Sequence, residues 1–431
     1  MIHIIFDAIL WTSYLVSLYF SIFLLLVYLE KKPIFTLENN YSSHLDFSEP
    51  KDFPLVSVIV PAHNEEKTIL KTLESIEALD YPKEKLEVIA IDDGSKDNTK
   101  EKIIDYISDK PHFRLISHPN MGKAASMNKA LAQIKGEFFA CLDADSFVNS
   151  STLKKMLAFY YQQNNDRLAI VTPAMKVHHP KNILQKVQWL EYVVMILFGR
   201  LTSQLDSLYV APGPFSLYRT DILRQLGGFD PKNITEDQEI AYRLQKHQYQ
   251  IKQCFNGFVY TTAPDKIPTF YRQRRRWYLG SLGCLYQYKD LVANKKYGDF
   301  GLMQMVKNVT EYLLAIAGLS LAGYLFFIPI FEQLKTLFLV KFNILPYLTS
   351  LDFNFNFLSF LLLDLNQIWI IFLLFLTGSL FFYWAHQNAQ EKMSVFGLFP
   401  LIPYFFFYYL LKGSILMISL VQFHRSKKIK W

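Results

Sequence analysis

The sequence predicts an α/β domain on a mostly parallel, Rossmann-like sheet with helices on both faces, flanked by transmembrane helices. Three observations carry this. Short apolar runs rich in Val and Ile alternate with helix-like stretches between about residues 50 and 300, the pattern of βαβ units. An uncharged apolar run precedes that region, and further apolar runs follow it from about residue 305. Acidic clusters fall directly after the strand-like runs, at the strand ends where open α/β sheets bind ligands.

The first element is the run Ala8–Leu29, long enough for a bilayer span of about 20 residues. It lacks the basic start and small-residue cleavage site of a signal peptide. Residues 1–30 therefore read as an uncleaved anchor. Glu30-Lys31-Lys32 follows, which puts the next segment in the cytosol.

Residues 50–300 form the expected cytosolic domain. "LVSVIV" (55–60), "LEVIAI" (86–91), "FRLIS" (113–117), "EFFACL" (137–142) and "LAIVT" (168–172) read as strands. "EEKTILKTLESIEAL" and "MGKAASMNKALAQI" lie between them with helical spacing. "YVAPGPFSLYRTDIL" (209–223) reads as a Gly-Pro loop before a helix.

Residues 305–431 form the expected C-terminal membrane block, with span candidates at Tyr312–Ile330, Ile368–Ala385 and Phe396–Val421. A run near Phe355–Leu365 is too short to span alone. Four spans put the tail "HRSKKIKW" outside, against its charges. Five spans, or a re-entrant segment at Pro400 and Pro403, put it inside.

Composition agrees with partial membrane residence. Hydrophobic residues make up 51% and charged residues 19% of the 431, against roughly 25% charged in ordinary soluble proteins. The net charge of +7 suits an anionic leaflet or anionic substrate and makes no case for nucleic acid. Cys141, Cys254 and Cys284 form no CxxC and read as reduced thiols, with neither metal cluster nor disulfide.

The motifs each admit a bland and a chemical reading. In "IAIDDGSKDNT" (89–99) a strand ends in Asp92-Asp93; this is a turn with Ser95 or Asp97 capping the next helix, or a carboxylate accepting from a nucleobase N–H. Asp143 and Asp145 of "DAD" share one side of an extended chain. They cap a helix, or they share a divalent cation with a diphosphate, for which Mg²⁺ or Mn²⁺ is the natural choice. Gly122-Lys123 opens a helix without Walker A spacing, so Lys123 is a surface base or a phosphate neighbour. Thr235 and Gln238 of "NITEDQ" have capping-box spacing. That leaves Glu236 and Asp237 unexplained, and the helix N-terminus is expected to depress a first-turn carboxyl, as suits a base. In "YRQRRRWYLGSL" (271–282), Arg272, Arg274, Arg275 and Arg276 beside Trp277 bind anionic lipid, or one of them pairs with phosphate.

In order, DDGS, GK, DAD, GPFSLYR, TED and QRRRW resemble the family 2 inverting glycosyltransferases over about residues 50–290. Among these they resemble the membrane-embedded processive synthases of cellulose, hyaluronan and poly-N-acetylglucosamine type. The resemblance implies a GT-A type fold and transfer from a UDP-sugar, UDP-GlcNAc or UDP-glucose, to a growing β-linked polysaccharide. It implies coupling to export across the plasma membrane, with room for a small partner subunit. It makes Asp93, with Asp92 second, the uridine-contacting acid, Glu65 a neighbour of base and ribose, and Lys123 phosphate-proximal. Asp143 and Asp145 become metal ligands, with Asp143 also at the nucleotide, and Asp237 the general base with Glu236 beside it. Gln273, Arg276 and Trp277 match Q-x-x-R-W, which holds diphosphate and acceptor. Pro214 after Gly213 departs from the expected acceptor loop. No RxxxR module follows Trp277, so no cyclic-nucleotide control is expected. The rivals are a non-processive transferase acting on a membrane lipid and a non-catalytic scaffold subunit.

Overall fold

The computed structural model describes residues 2–41, 53–324, 328–339, 341, 365–396 and 399–425. Eight strands form one sheet in the order β3-β2-β1-β4-β7-β6-β8-β5. They are β1 Val56–Ala62, β2 Leu86–Asp93, β3 Phe113–His118, β4 Phe138–Cys141, β5 Ser146–Val148, β6 Leu168–Val177, β7 Leu217–Arg219 and β8 Gln250–Thr261. β3, β2, β1 and β4 are mutually parallel, as are β6 and β8. β7 runs antiparallel to both β4 and β6, and β5 antiparallel to β8. All strands but β5 and β7 therefore point the same way.

The five strand-like runs of the sequence are β1, β2, β3, β4 and β6. The pattern does not announce the other three. β5 and β7 have three residues each, and β7 sits inside "GPFSLYR", where Gly and Pro suggest only a loop. β8 contains Asn256-Gly257, a turn-like pair. The chain absorbs it in a register shift opposite Pro173/Ala174 rather than turning.

Alternation along the strands builds a core on each face. Val58, Val60, Val88 and Ala90 pack on one side with Ile69, Leu73 and Ile76 of α2 (Ile69–Glu77) and Leu153 and Leu157 of α5 (Thr152–Gln163). Ile59, Ile89 and Ile91 face the other way. There they meet Met127 of α4 (Lys123–Leu131), Leu223 of α7 (Thr220–Gln225) and Ile240 and Leu244 of α8 (Glu236–Lys246). α3 (Thr99–Ile107) joins β2 to β3. Its N-cap is Asn98, without a side-chain bond; Asp97 instead accepts from the Thr99 N–H at 3.1 Å.

A third core joins this domain to long apolar helices. α1 (Ile2–Tyr41) contributes Leu24 and Val27, α6 (Ile183–Gln204) contributes Trp189, Val193 and Leu197, and α9 (Ile267–Gln287) contributes Phe270. They pack with Phe382 of the helix Leu365–Ala389 and Tyr404 and Tyr408 of the last helix, Leu401–Arg425. Three helices, Ile4–Phe35, Ile368–Ala389 and Leu401–Arg425, are long and apolar enough to cross a membrane, and mark a membrane protein. The candidate Tyr312–Ile330 falls across the end of α10 (Met305–Ala322) and the start of the next helix, Ile328–Leu339. The run near Phe355–Leu365 and the end of the basic tail lie outside the described residues.

Candidate active site

The carboxyl ends of β1, β2, β3 and β4 form one rim. Ala62 pairs with Asp92, and Asp93 with His118. Asp92 is buried, accepting from the Ser95 N–H at 3.0 Å and the Ser117 hydroxyl at 3.0 Å. Asp93, also buried, accepts from the Met121 and Gly122 N–H groups at 2.8 and 3.0 Å. The DDGS acids thus fold their own turn and hold the loop entering α4. Glu65 accepts from the Thr68 hydroxyl at 2.7 Å, and its charge reaches Asp145.

The loop fastened by Asp93 delivers Lys123. Its ammonium lies 2.6 Å from Asp143 Oδ1 and 2.9 Å from Glu236 Oε1. Burial works against that charge, but Asp143 and Glu236 outweigh it and hold the lysine well above its ordinary value. Gly213 closes the site from the β7 side: a Cβ there would stand 2.9 Å from Lys123 Nζ and 3.2 Å from Asp143 Oδ2. The role of Gly213 is close approach, which the Gly-Pro pair in the sequence only hints at.

Asp145 is exposed, with the Ser146 hydroxyl donating to it at 3.0 Å. The surrounding protein, then the charges of Asp143 and Glu65, push its carboxyl up to about 6. Lys123 pairs with Asp143, yet the Asp143 charge still raises Asp145, and two such oxygen-donor carboxylates fit a hard divalent cation. Among the described residues no group of three or more His, Cys, Asp or Glu is poised for a metal, so the ligand's own oxygens must complete such a site.

The capping box expected at α8 does not form. Thr235 is the N-cap without a side-chain cap bond; its hydroxyl meets Asn233 at 3.2 Å, and Gln238 reaches Ser281 at 3.1 Å. What brings Thr235 here is α9. A Cβ at Gly280 would lie 2.2 Å from Thr235 Oγ1, so only glycine lets the two helices touch. Asp237 then differs from the sequence expectation. Burial and the adjacent Glu236 charge push its carboxyl up to about 6, against the pull of Lys123 and Arg276. The helix N-terminus does not win, because the flanking elements remove water from the first turn. Glu236 is buried and tied to Lys123, which leaves Asp237 as the first-turn acid under the charge of Arg276.

The arginines of α9 divide by face. Arg276 is half-buried, makes no ion pair among the described residues, and acts on Asp237. Gln273 carries a buried Oε1 without a partner. Arg275 donates to Gln422 at 2.7 Å, and Arg272 is exposed. Arg274 points inward, is buried, and binds Glu191 of α6. Its guanidinium stands 4.2 Å from the Trp277 ring centroid, so Arg274 is not free for lipid or phosphate. Sequence reasoning passed over Glu191, though a lone acid in an apolar helix signals a buried cation partner.

Contacts therefore link Asp93 to Gly122 and Lys123 to Asp143 and Glu236, while Asp145 feels the charge of Glu65 and Asp237 that of Arg276. Residues 57–227 match Glycosyl transferase family 2. The chain carries a family 2 glycosyltransferase domain. Over 88% of its length and 86% of the relative, this glycosyltransferase is 26% identical to a poly-beta-1,6-N-acetyl-D-glucosamine synthase of Staphylococcus epidermidis. It is 26% identical to the synthase of that name from Staphylococcus aureus (strain COL), over 64% of this chain and 65% of the relative. Among solved structures, the mannosyltransferase PcManGT from Pyrobaculum calidifontis, in complex with GDP-Man and Mn2+, superposes with a TM-score of 0.52. That match has 19% identity and covers 77% of the glycosyltransferase and 94% of the other chain; it shows the fold.

Proposed function

We propose that this glycosyltransferase moves a sugar, with inversion, from a UDP-sugar to the end of a growing β-linked polysaccharide at the plasma membrane. The domain between the spans faces the cytosol. N-acetylglucosamine is the favoured sugar, since the relative aligned along 88% of the chain is a synthase of that polymer. The observation that carries the reading is the juxtaposition of the Asp143–Asp145 pair with Asp237 and Arg276, tied together through Lys123 and Glu236.

Asp143 and Asp145 would hold Mg²⁺ or Mn²⁺, which supplies positive charge at the diphosphate when bound. Asp92, Asp93 and Glu65 shape the rim for the nucleotide. Asp237 accepts the proton of the acceptor hydroxyl as its oxygen attacks the anomeric carbon. The bond from that carbon to the diphosphate oxygen breaks, and UDP departs with the electron pair. Arg276, half-buried and in no ion pair among the described residues, offers charge-assisted hydrogen bonds to the leaving diphosphate. Proton abstraction of this kind contributes about 10²–10⁴-fold in rate. Trp277 gives the acceptor sugar an aromatic face.

The test is a donor screen. Membranes containing the protein receive each UDP-sugar in turn with Mn²⁺, and UDP release and product size are measured. The reading expects UDP-GlcNAc to give a high-molecular-weight ladder. A single lipid-soluble product would replace polymerisation with transfer to a lipid, and no UDP release from any donor would end the enzymatic reading.

A further inference from the structure

One carboxylate joins the Q-x-x-R-W helix to the membrane helices. Glu191 is the only acid of α6 and is buried. Its Oε2 accepts from the Arg274 guanidinium and, at 2.6 Å, from the Tyr408 hydroxyl; its Oε1 accepts from Lys412 Nζ at 2.7 Å. α6, α9 and the last helix, Leu401–Arg425, thus meet at one side chain. Burial opposes its charge, but Arg274 and Lys412 prevail and hold the carboxyl at about 2, so it stays ionised.

Arg274 lies within the motif, between Gln273 and Arg276. Besides Glu191, its guanidinium touches the Tyr408 hydroxyl at 3.2 Å and stacks 4.2 Å from the Trp277 centroid and 5.0 Å from that of Phe270. A planar guanidinium bound at its edge and stacked on its face has one orientation. The indole beneath it takes that orientation as well. Tyr192, next in sequence to Glu191, is buried in the same apolar core as Phe270, with Trp277 packed against it. Opposite, Gly280 presses α9 onto Thr235 at the start of the Asp237 helix.

We propose that Glu191 is a positioning residue for sugar transfer, fixing through Arg274 the rotation of α9 and the plane of Trp277 and thereby the pose of the acceptor before Asp237. Through Tyr408 and Lys412 it ties that pose to the last membrane helix. The inference rests on the polymerising reading above and adds a residue to it. Loss of the Glu191 charge leaves the buried Arg274 and the half-buried Lys412 without their shared counter-charge. Arg274 then leaves its stack, and Trp277 loses its register, while the donor side is untouched.

The experiment uses the full chain in membranes with UDP-GlcNAc and Mn²⁺. It reads two products: polymer, and the slow UDP release that occurs when water is the acceptor. Water needs the donor site and Asp237 but no sugar platform. Glu191→Gln should lower polymer formation by about 10²-fold, the scale of a small misplacement of reactants, with donor KM and water-dependent UDP release within about twofold of wild type. Because Glu191→Gln leaves a buried cation unpaired, Arg274→Lys is the companion. It keeps the charge pair and so the fold, but removes the guanidinium plane, and should show the same split. Lys412→Gln keeps the Glu191–Arg274 clamp and should retain polymer formation within about threefold. Equal loss of both activities in Arg274→Lys, or wild-type polymer formation in it, overturns the positioning role. Wild-type membranes that make no polymer from UDP-GlcNAc would remove the polymerising reading and this inference together, whereas failure confined to the variants leaves that reading standing.

Discussion

Lys123 Nζ lies 2.9 Å from Glu236 Oε1, and the same ammonium holds Asp143 at 2.6 Å. One cation thus links the β4 acids to the helix that carries Asp237. Lys123→Met would leave a buried Glu236 without a counter-charge. Because the lysine side chain is itself 31% exposed, the cost falls below that of a fully buried pair, at about 1–3 kcal/mol. The expected outcome is a lower thermal midpoint in detergent together with weakened UDP binding by calorimetry. Unchanged UDP affinity would detach Lys123 from the donor site.

The Asp237 carboxyl stands at about 6 in the folded protein, above its ordinary value near 3.9. A base must be ionised, so transfer should fall about tenfold per pH unit below pH 6 and level off above it. Stability runs the other way. A raised folded value means the native state binds the proton more readily. Ionised Asp237 therefore destabilises the fold above pH 6, and the strain is relieved as pH drops from 6 towards 4. A pH–rate profile measured at saturating donor checks the first sign. In Asp237→Asn the unfolding midpoint should lose that part of its pH dependence.

Gly280 has no room for a methyl group beside Thr235. Gly280→Ala should push α9 away from α8, costing about 1–3 kcal/mol in stability by overpacking, and lower transfer by at least about tenfold. Thermal melts and UDP-release rates measure both. A variant with wild-type values would mean that the contact between the helices does not set the site.

Asp145 and Asp143 are the expected cation ligands. In Asp145→Ala, UDP affinity should no longer depend on Mn²⁺, whereas in the wild type EDTA should weaken it. Titration calorimetry with and without chelator decides; equal affinities in all four conditions would remove the cation from donor binding.

Much of the fold could be read from the chain because it rests on local patterns. β1, β2, β3, β4 and β6 are short apolar runs, and the acids that end β2 and follow β4 mark the rim. β7 and β8 were hidden because "GPFSLYR" and Asn256-Gly257 mimic turns, and only neighbouring strands hold them extended. The candidate residues were legible as types, and their electrostatics were not. The upward shift of Asp237 comes from burial and Glu236, outweighing the helix-terminus effect that the sequence suggested. The inward turn of Arg274 depends on Glu191, 83 residues away. The tight seat of Gly213 on Lys123 needs a folded chain to exist at all.

The most direct test of Asp237 as the base beside a gripped UDP-sugar is the Asp237→Asn protein, assayed side by side for UDP–Mn²⁺ affinity and for UDP release from UDP-GlcNAc. The account predicts affinity within about twofold of wild type and transfer slowed by about 10²–10⁴-fold. Wild-type transfer in that variant would contradict it.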